Sequence, residues 1–179
     1  MNHTVSVLVE NKPGALARIS GLFARRGFNI DSLAVGESED PSVARMTIVV
    51  SVDEKPLDQI TKQLQKLVNV LHVAELPHNG AVERELALMK VRVDPGKRAE
   101  VVELAEIFRA KVVDVDRRAL TIEATGTPDK VAALEELLRP YGIVEIARTG
   151  RIALGRGSRG LSAPSLHPVA TPSRAAASL

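Results

Sequence analysis

Residues 7–16 read Val-Leu-Val-Glu-Asn-Lys-Pro-Gly-Ala-Leu, in which an apolar strand runs into a turn and the turn opens a helix. Asn tolerates unusual backbone angles, Pro fixes φ and Gly removes side-chain bulk, so Asn11 to Gly14 has the composition of a tight turn. The unpaired N–H groups at the start of a helix attract anions, including carboxylates. The stretch therefore indicates either a carboxylate-binding site or merely a tight strand-to-helix connection.

The elements around this stretch occur in the same order twice. Period-two patterns predict strands, and apolar residues at helical spacing after Gly14, Asp53, Asp94-Pro95 and Thr127-Pro128 predict helices. The predicted strands cover 4–9, 28–35, 43–52 and 70–76, and then 84–93, 111–115, 119–124 and 143–147. The repeated order β-α-β-β-α-β predicts an α+β protein of two tandem ferredoxin-like domains, at 1–77 and 78–157.

Two further expectations follow from this layout. Helices on one side of each sheet leave the other face and the edge strands uncovered, so we expect an oligomer. From Gly155 onward the composition shifts to Gly, Ser, Pro, Ala and Arg, which predicts a disordered tail over 158–179. All 22 acidic residues lie at or before Glu145, whereas five arginines follow it, so the basic character of the chain belongs to the segment from residue 148 onward.

Composition excludes several classes of protein. The chain has no cysteine, which excludes disulfides and thiolate sites, and its 2% of aromatic residues implies an aliphatic core. No apolar run approaches the roughly 20 residues that a membrane span needs. Residues 1–9 lack the charged and long apolar regions of a signal peptide, so we expect a cytoplasmic protein without membrane contact.

Candidate motifs for catalysis, cofactors and nucleic acid are weak. Residues 155–160 match the dinucleotide fingerprint G-x-G-x-x-G, but no helix-forming segment and no acidic residue follow them. The four histidines lack the spacing of metal ligands, and the acidic turn at 37–40 is more typical of a solvated loop than of a cation site. The strands at 4–9 and 43–52 lack the aromatic residues on which RNA-binding domains of this topology stack bases.

Residues 6–29 read S-V-L-V-E-N-K-P-G-A-L-A-R-I-S-G-L-F-A-R-R-G-F-N, which closely resembles the ACT domain of the regulatory small subunit of acetohydroxyacid synthase, also called acetolactate synthase. The similarity continues at 30–33, 45–48 and 59–64, and it enters the second repeat at 84–88 and 144–150. The Pro-Gly-Ala-Leu-Ala-Arg turn by itself is typical of ACT domains in general. Its combination with R-R-G-F-N-I-D-S-L at 25–33 and with the second domain is far more specific.

The resemblance implies a non-catalytic subunit that activates a separate enzyme of branched-chain amino acid synthesis and confers feedback inhibition, usually by valine. It implies no cofactor in this chain, because thiamine diphosphate, Mg and FAD are expected in the catalytic large subunit. The implied partners are a second copy in a homodimer, the large subunit, gripped at least partly through the second domain, and valine, leucine or isoleucine as effector. The alternative is a stand-alone amino-acid-sensing ACT-domain regulator, which the lack of a basic recognition helix disfavours.

The family's effector sites lie at the dimer interface of the first domain. Carried over by position, they fall on Asn11, Gly14, Ala15 and Leu16 of one subunit and on Asn29 and Ile30 of the other. The N–H groups at the helix start suit the carboxylate of a free amino acid, and the asparagine amide oxygens suit its ammonium group. The two aliphatic side chains would flank a branched side chain.

Overall fold

A computed structural model of the chain describes residues 2–158 and 160–161. The prediction of a disordered tail over 158–179 therefore falls almost entirely outside the described residues. Within this range, none of the helices is long and apolar enough to cross a membrane.

The first half of the chain forms a four-stranded antiparallel sheet with two helices on one face. Its elements are β1 (Asn2–Glu10), α1 (Ala15–Arg25), β2 (Ser32–Glu37), β3 (Val43–Ser51), α2 (Glu54–Leu64) and β4 (Val70–Leu76). The strand order is β2-β3-β1-β4, so β3 and β1 lie at the centre of the sheet and β2 and β4 lie at its edges.

The second half repeats this plan and adds one strand. Its elements are β5 (Ala81–Arg92), α3 (Arg98–Ile107), β6 (Lys111–Val115), β7 (Ala119–Gly126), α4 (Pro128–Leu138), β8 (Ile143–Arg148) and β9 (Ile152–Gly155). The path β6-β7-β5-β8 is antiparallel throughout, and β9 also pairs with β5. The prediction of two tandem ferredoxin-like domains is confirmed.

Each sheet packs its own aliphatic core against its helices. In the first, Val5, Val7 and Val9 alternate along β1 and belong to the same buried cluster as Ile19 and Phe23 of α1. In the second, the core contains Met89 and Val91 of β5 together with Val131, Leu134 and Leu138 at helical spacing on α4. The low aromatic content thus yields two small cores of mostly branched side chains.

Three local features differ from the sequence prediction. β2 begins at Ser32, four residues later than predicted, because Phe28 and Ile30 pack against the edge of the first core before the strand starts. A 3-10 turn over Pro95–Lys97 precedes α3. β9 was not predicted: it is only four residues long, too short for a period-two pattern to distinguish it from a loop.

The face of the first sheet that points away from its helices is partly covered by the second half of the chain. Thr4, Ser6 and Leu8 of β1 point to this face, yet all three are buried. Leu76 at the end of β4 forms a small buried cluster with Ala81 of β5 and Ala153 of β9. The expectation that this face lies bare is therefore wrong in part, because the start of β5 and β9 pack against it.

Candidate effector site

The turn after β1 is a tight, hydrogen-bonded connection. The backbone N–H of Asn11 donates to the carbonyl of Ser42 at 2.7 Å, and that of Ala15 donates to the carbonyl of Lys12 at 3.3 Å. Gly14 has φ +87° and ψ −10°, the left-handed region that residues with a Cβ rarely adopt. The turn therefore requires glycine at 14 for the path of the backbone, whether or not a ligand binds there.

The helix start that follows this turn is open. Among the described residues no side chain caps α1, and, apart from Gly14 and its two chain neighbours, none has a heavy atom within 4 Å of the position that a Cβ on Gly14 would occupy. Gly14 and Leu16 are exposed, while Ala15 is buried against the first core. The N–H groups of an uncapped first turn carry the positive end of the helix dipole, so this end of α1 suits an anion the size of a carboxylate.

A network of polar side chains stabilises the turn and the start of α1. Arg18 Nη1 donates to Asn69 Oδ1 at 2.5 Å, and Asn69 Nδ2 donates to Glu10 Oε2 at 2.8 Å. Lys12 Nζ lies 3.3 Å from the same Glu10 oxygen. The hydrogen bond from Asn69, followed by that from Lys12, lowers the pKa of Glu10 below its ordinary value. Sequence reasoning missed this support because Asn69 lies far along the chain.

Asn11 connects the turn to the loop between β2 and β3. Its amide nitrogen donates to the carbonyl of Pro41 at 2.9 Å and lies 3.5 Å from Glu37 Oε1. In the same loop, Asp40 Oδ1 accepts from the backbone N–H and the hydroxyl of Ser42 at 2.8 and 2.7 Å. The described residues contain no group of His, Cys, Asp or Glu that would hold a metal ion. The acidic turn thus serves to close the loop that holds Asn11.

Asn29 and Ile30 lie in the segment between α1 and β2. Asn29 Nδ2 donates to Asp31 Oδ1 at 2.9 Å, and Asp31 Oδ2 accepts from the hydroxyl of Ser51 at 2.6 Å. Ile30 is partly buried against the first core, whereas Asn29 is exposed. The segment is therefore anchored to β3 while it presents one amide to solvent.

Within one chain, the structure does not bring the six predicted residues together. Gly14 precedes the first residue of α1, and Asn29 follows its last residue by four positions. A helix of eleven residues is about 16 Å long, several times the reach of a free amino acid. A single small ligand that contacts both groups therefore needs two chains.

A cavity of about 430 Å³ lies elsewhere, between the first sheet and the β5–β9 pair. It is lined by Ala34, Val35, Gly36 and Glu37 of β2, Arg45 and Thr47 of β3, Val82 and Arg84 of β5, and Ile152, Ala153 and Leu154 of β9. None of the six predicted effector residues, all in the described part of the chain, is among them. The cavity marks a place where the two halves of the chain face each other without close packing.

Two family models match the chain, one over each half. The model described as an AHAS small subunit-like ACT domain matches residues 5–72, and the model described as the small subunit of acetolactate synthase matches residues 84–157.

Individual relatives match along most of the chain. The acetolactate synthase small subunit of Mycolicibacterium smegmatis is 59% identical over 161 residues, which are 90% of this chain and 95% of that protein. The probable acetolactate synthase small subunit of Archaeoglobus fulgidus is 55% identical over 89% of this chain and 99% of its own length. The crystal structure of the small subunit from Thermotoga maritima, 47% identical, covers 89% of this chain and 99% of that one with a TM-score of 0.82. The chain therefore belongs to the family of acetolactate synthase small subunits, which are regulatory subunits.

Proposed function

We propose that this chain activates the catalytic large subunit of acetolactate synthase and makes it sensitive to feedback inhibition by valine or a related branched-chain amino acid. The catalytic residues, and the thiamine diphosphate, Mg and FAD that the reaction uses, then belong to the large subunit. The observation that carries the proposal is the open, uncapped start of α1 at a left-handed Gly14. Such a helix start binds a carboxylate without any basic side chain.

The effector is a zwitterion, and its carboxylate, its ammonium group and its side chain each contact different residues in the proposed site. The carboxylate accepts from the N–H groups at Gly14 and Leu16 of one subunit, and from that of Ala15 once it gives up its 3.3 Å bond to the carbonyl of Lys12. The ammonium group donates to amide oxygens of Asn11 and of Asn29 from the other subunit. The branched side chain lies between Leu16, which is 43% exposed, and Ile30 of the other subunit. Burial of that aliphatic group favours valine, leucine or isoleucine over polar amino acids.

A site shared by two subunits of a homodimer links binding to their relative position. An effector that binds one arrangement of the two subunits more tightly shifts the population toward it. A coupling free energy of about 1–3 kcal/mol suffices to change the activity of an attached enzyme several-fold. The second domain, matched over 84–157 by the small-subunit model, supplies at least part of the grip on the large subunit.

Gly14→Asp tests the site, because its carboxylate would occupy the place proposed for that of the effector. We expect the reconstituted complex with this variant to be activated as with wild type but to lose inhibition by valine. Gly157→Asp is the matched control: Gly157 also has a positive φ, +90°, and no described residue other than its chain neighbours lies within 4 Å of its Cβ position, so the added charge is the same and the backbone strain is similar. Valine inhibition that is the same in both variants would refute the site.

Co-purification distinguishes the proposal from a stand-alone amino-acid sensor. A stable complex with the large subunit, and synthase activity that rises when the chain is added, supports the proposal. Calorimetry with valine, leucine and isoleucine then ranks the three effectors. A chain that binds an amino acid but never the large subunit would support the sensor instead.

A further inference from the structure

The residues between β8 and β9 form a bulge in a single sheet edge. Both strands pair antiparallel with β5, with Ala87 opposite Arg148 and Arg84 opposite Ile152. Residues 149–151 interrupt this edge, and Gly150 at their centre has φ +81°. We call residues 149–151 the strap. Thr149 still pairs with β5, since its N–H donates to the carbonyl of Leu86 at 3.1 Å. Gly150 and Arg151 are the strap residues whose contacts reach beyond the second domain.

The strap contacts the first domain at the start of β2. The backbone N–H of Arg151 donates to Ser32 Oγ at 2.7 Å. A Cβ on Gly150 would lie 2.7 Å from the carbonyl oxygen of Leu33 and 3.1 Å from its carbonyl carbon, so backbone packs on backbone here. Glycine is therefore required at 150 both for the left-handed φ and for the close approach.

A buried ion pair fixes the strap to the strands beneath it. Arg151 Nη1 lies 3.3 Å from Glu83 Oε2 of β5, and their side chains are 17% and 8% exposed. The other oxygen of Glu83 accepts from Thr4 Oγ1 of β1 at 2.8 Å. Glu83 thus contacts both Arg151 of the strap and Thr4 of the first domain. A displacement of the strap therefore disturbs the contact between the two domains.

The strap contacts β2 at the end of the strand that adjoins the proposed effector residues. Ser32 and Leu33 are the first residues of β2, and Asp31 alone separates them from Asn29 and Ile30. Further along the same strand, Ala34 to Glu37 face β9 across the cavity of about 430 Å³. β2 thus meets the second domain tightly at the end next to the proposed effector residues and loosely at the other end.

We propose that the strap transmits effector binding to the second domain: a shift of residues 29–33 moves residues 149–151, and the adjoining cavity gives β9 room to follow. The proposal rests on the proposed function, because it takes Asn29 and Ile30 as effector contacts. The strap residues act by position and do not touch the effector.

Hydrogen–deuterium exchange on the wild-type chain, with and without saturating valine, tests the proposal without the enzyme. We expect valine to change exchange both at 11–16 and 29–33 and at 149–155. A change confined to 11–16 and 29–33 would overturn the strap while leaving the effector site intact. A chain that binds none of the three branched-chain amino acids would overturn both.

Gly150→Ala and Ser32→Ala test the same step in the reconstituted holoenzyme. Both should bind valine within about threefold of wild type, because neither residue contacts the effector, while the inhibition that saturating valine produces falls to about half that of wild type or less. Gly157→Ala is the control for Gly150→Ala, because Gly157 has a similar φ but, in the part of the chain that the structure describes, no atom beyond its chain neighbours within 4 Å of its Cβ position, and this variant should be inhibited like wild type. If Gly150→Ala does not fold, Ser32→Ala decides, since it removes only one hydroxyl. Normal inhibition of Ser32→Ala together with a valine response at 149–155 like that of wild type would overturn the proposal.

Discussion

Thr4 and Glu83, 79 residues apart in the chain, share a buried hydrogen bond of 2.8 Å between Thr4 Oγ1 and Glu83 Oε1. Thr4 belongs to β1, one of the two central strands of the first sheet, and Glu83 belongs to β5, the longest strand of the second. A buried carboxylate is stable only when it is paired and hydrogen-bonded, and here Arg151 supplies the opposite charge. The two sheets are therefore joined through a polar contact as well as through the apolar cluster beside it.

We expect Glu83→Ala to lower the free energy of unfolding by about 3 kcal/mol, because it leaves the guanidinium of Arg151 largely buried without its partner. Urea denaturation measures this loss. Lys90→Ala is the comparison, since Lys90 pairs with Glu145 at the surface, and its loss should stay below about 1 kcal/mol. Equal losses in the two variants would show that the buried ion pair contributes no more to stability than the surface pair.

Truncation of a side chain on the buried face of α1 should mainly lower stability, whereas truncation on its exposed face should mainly weaken valine binding. Phe23 is 1% exposed, so Phe23→Ala should destabilise the chain by about 3–5 kcal/mol in thermal or chemical denaturation. Leu16 is on the exposed side, so Leu16→Ala should cost less than about 1 kcal/mol. Leu16→Ala should nevertheless weaken valine binding several-fold in calorimetry. Unchanged valine affinity would remove Leu16 from the site.

A mixture of two variants tests whether the effector site is shared between subunits. Gly14→Asp and Asn29→Ala should each lose valine binding as pure homodimers. In a heterodimer of the two, one site carries both changes and the other carries neither, so random mixing should restore about a quarter of the sites. Calorimetry after co-refolding counts them. No recovery on mixing would indicate that each site lies within one chain.

Acid should weaken the turn that carries Asn11. Asn69 and Lys12 hold the pKa of Glu10 below its ordinary value, so the unfolded chain binds the proton first. The contribution of Glu10 is therefore complete above its ordinary pKa and is lost as pH falls through its lower folded value. NMR titration of the Glu10 carboxyl should show that lower value, and Asn69→Ala should move it upward. No movement in Asn69→Ala would contradict the assigned cause.

Sequence patterns predicted most of the fold because long, strongly periodic segments dominate it. The third predicted strand, 43–52, is observed as Val43–Ser51, and the fourth, 70–76, matches Val70–Leu76. Pro128 at the first helical position correctly marked the start of α4, where Thr127 Oγ1 accepts from the N–H of Lys130. In each case the local preference and the tertiary packing agree.

Features that depend on long-range packing escaped the sequence analysis. Residues 28–31 have strand-like composition, but Phe28 and Ile30 pack against the first core, and the strand begins only at Ser32. β9 exists because the strap lets the chain continue along β5, and Gly150 reads locally as an ordinary turn residue. Turn chemistry could predict the left-handed conformation of Gly14. It could not predict the hydrogen bond between Asn69 and Glu10 that supports the turn, since no local pattern relates residues 59 positions apart.

The twelve-residue strand β5 has a practical consequence for cutting this molecule in two. Its first four residues pair with β9 and lie by the first sheet, while the remainder belongs to the second core. A fragment that stops at residue 77 would expose Leu76, which packs against Ala81 and Ala153, and would leave Thr4 without its bond to Glu83, so it is expected to be less stable and more prone to aggregate. Recombinant fragments of the first half should instead carry 81–84 and 152–155, tethered by a designed loop, if they are to remain monodisperse.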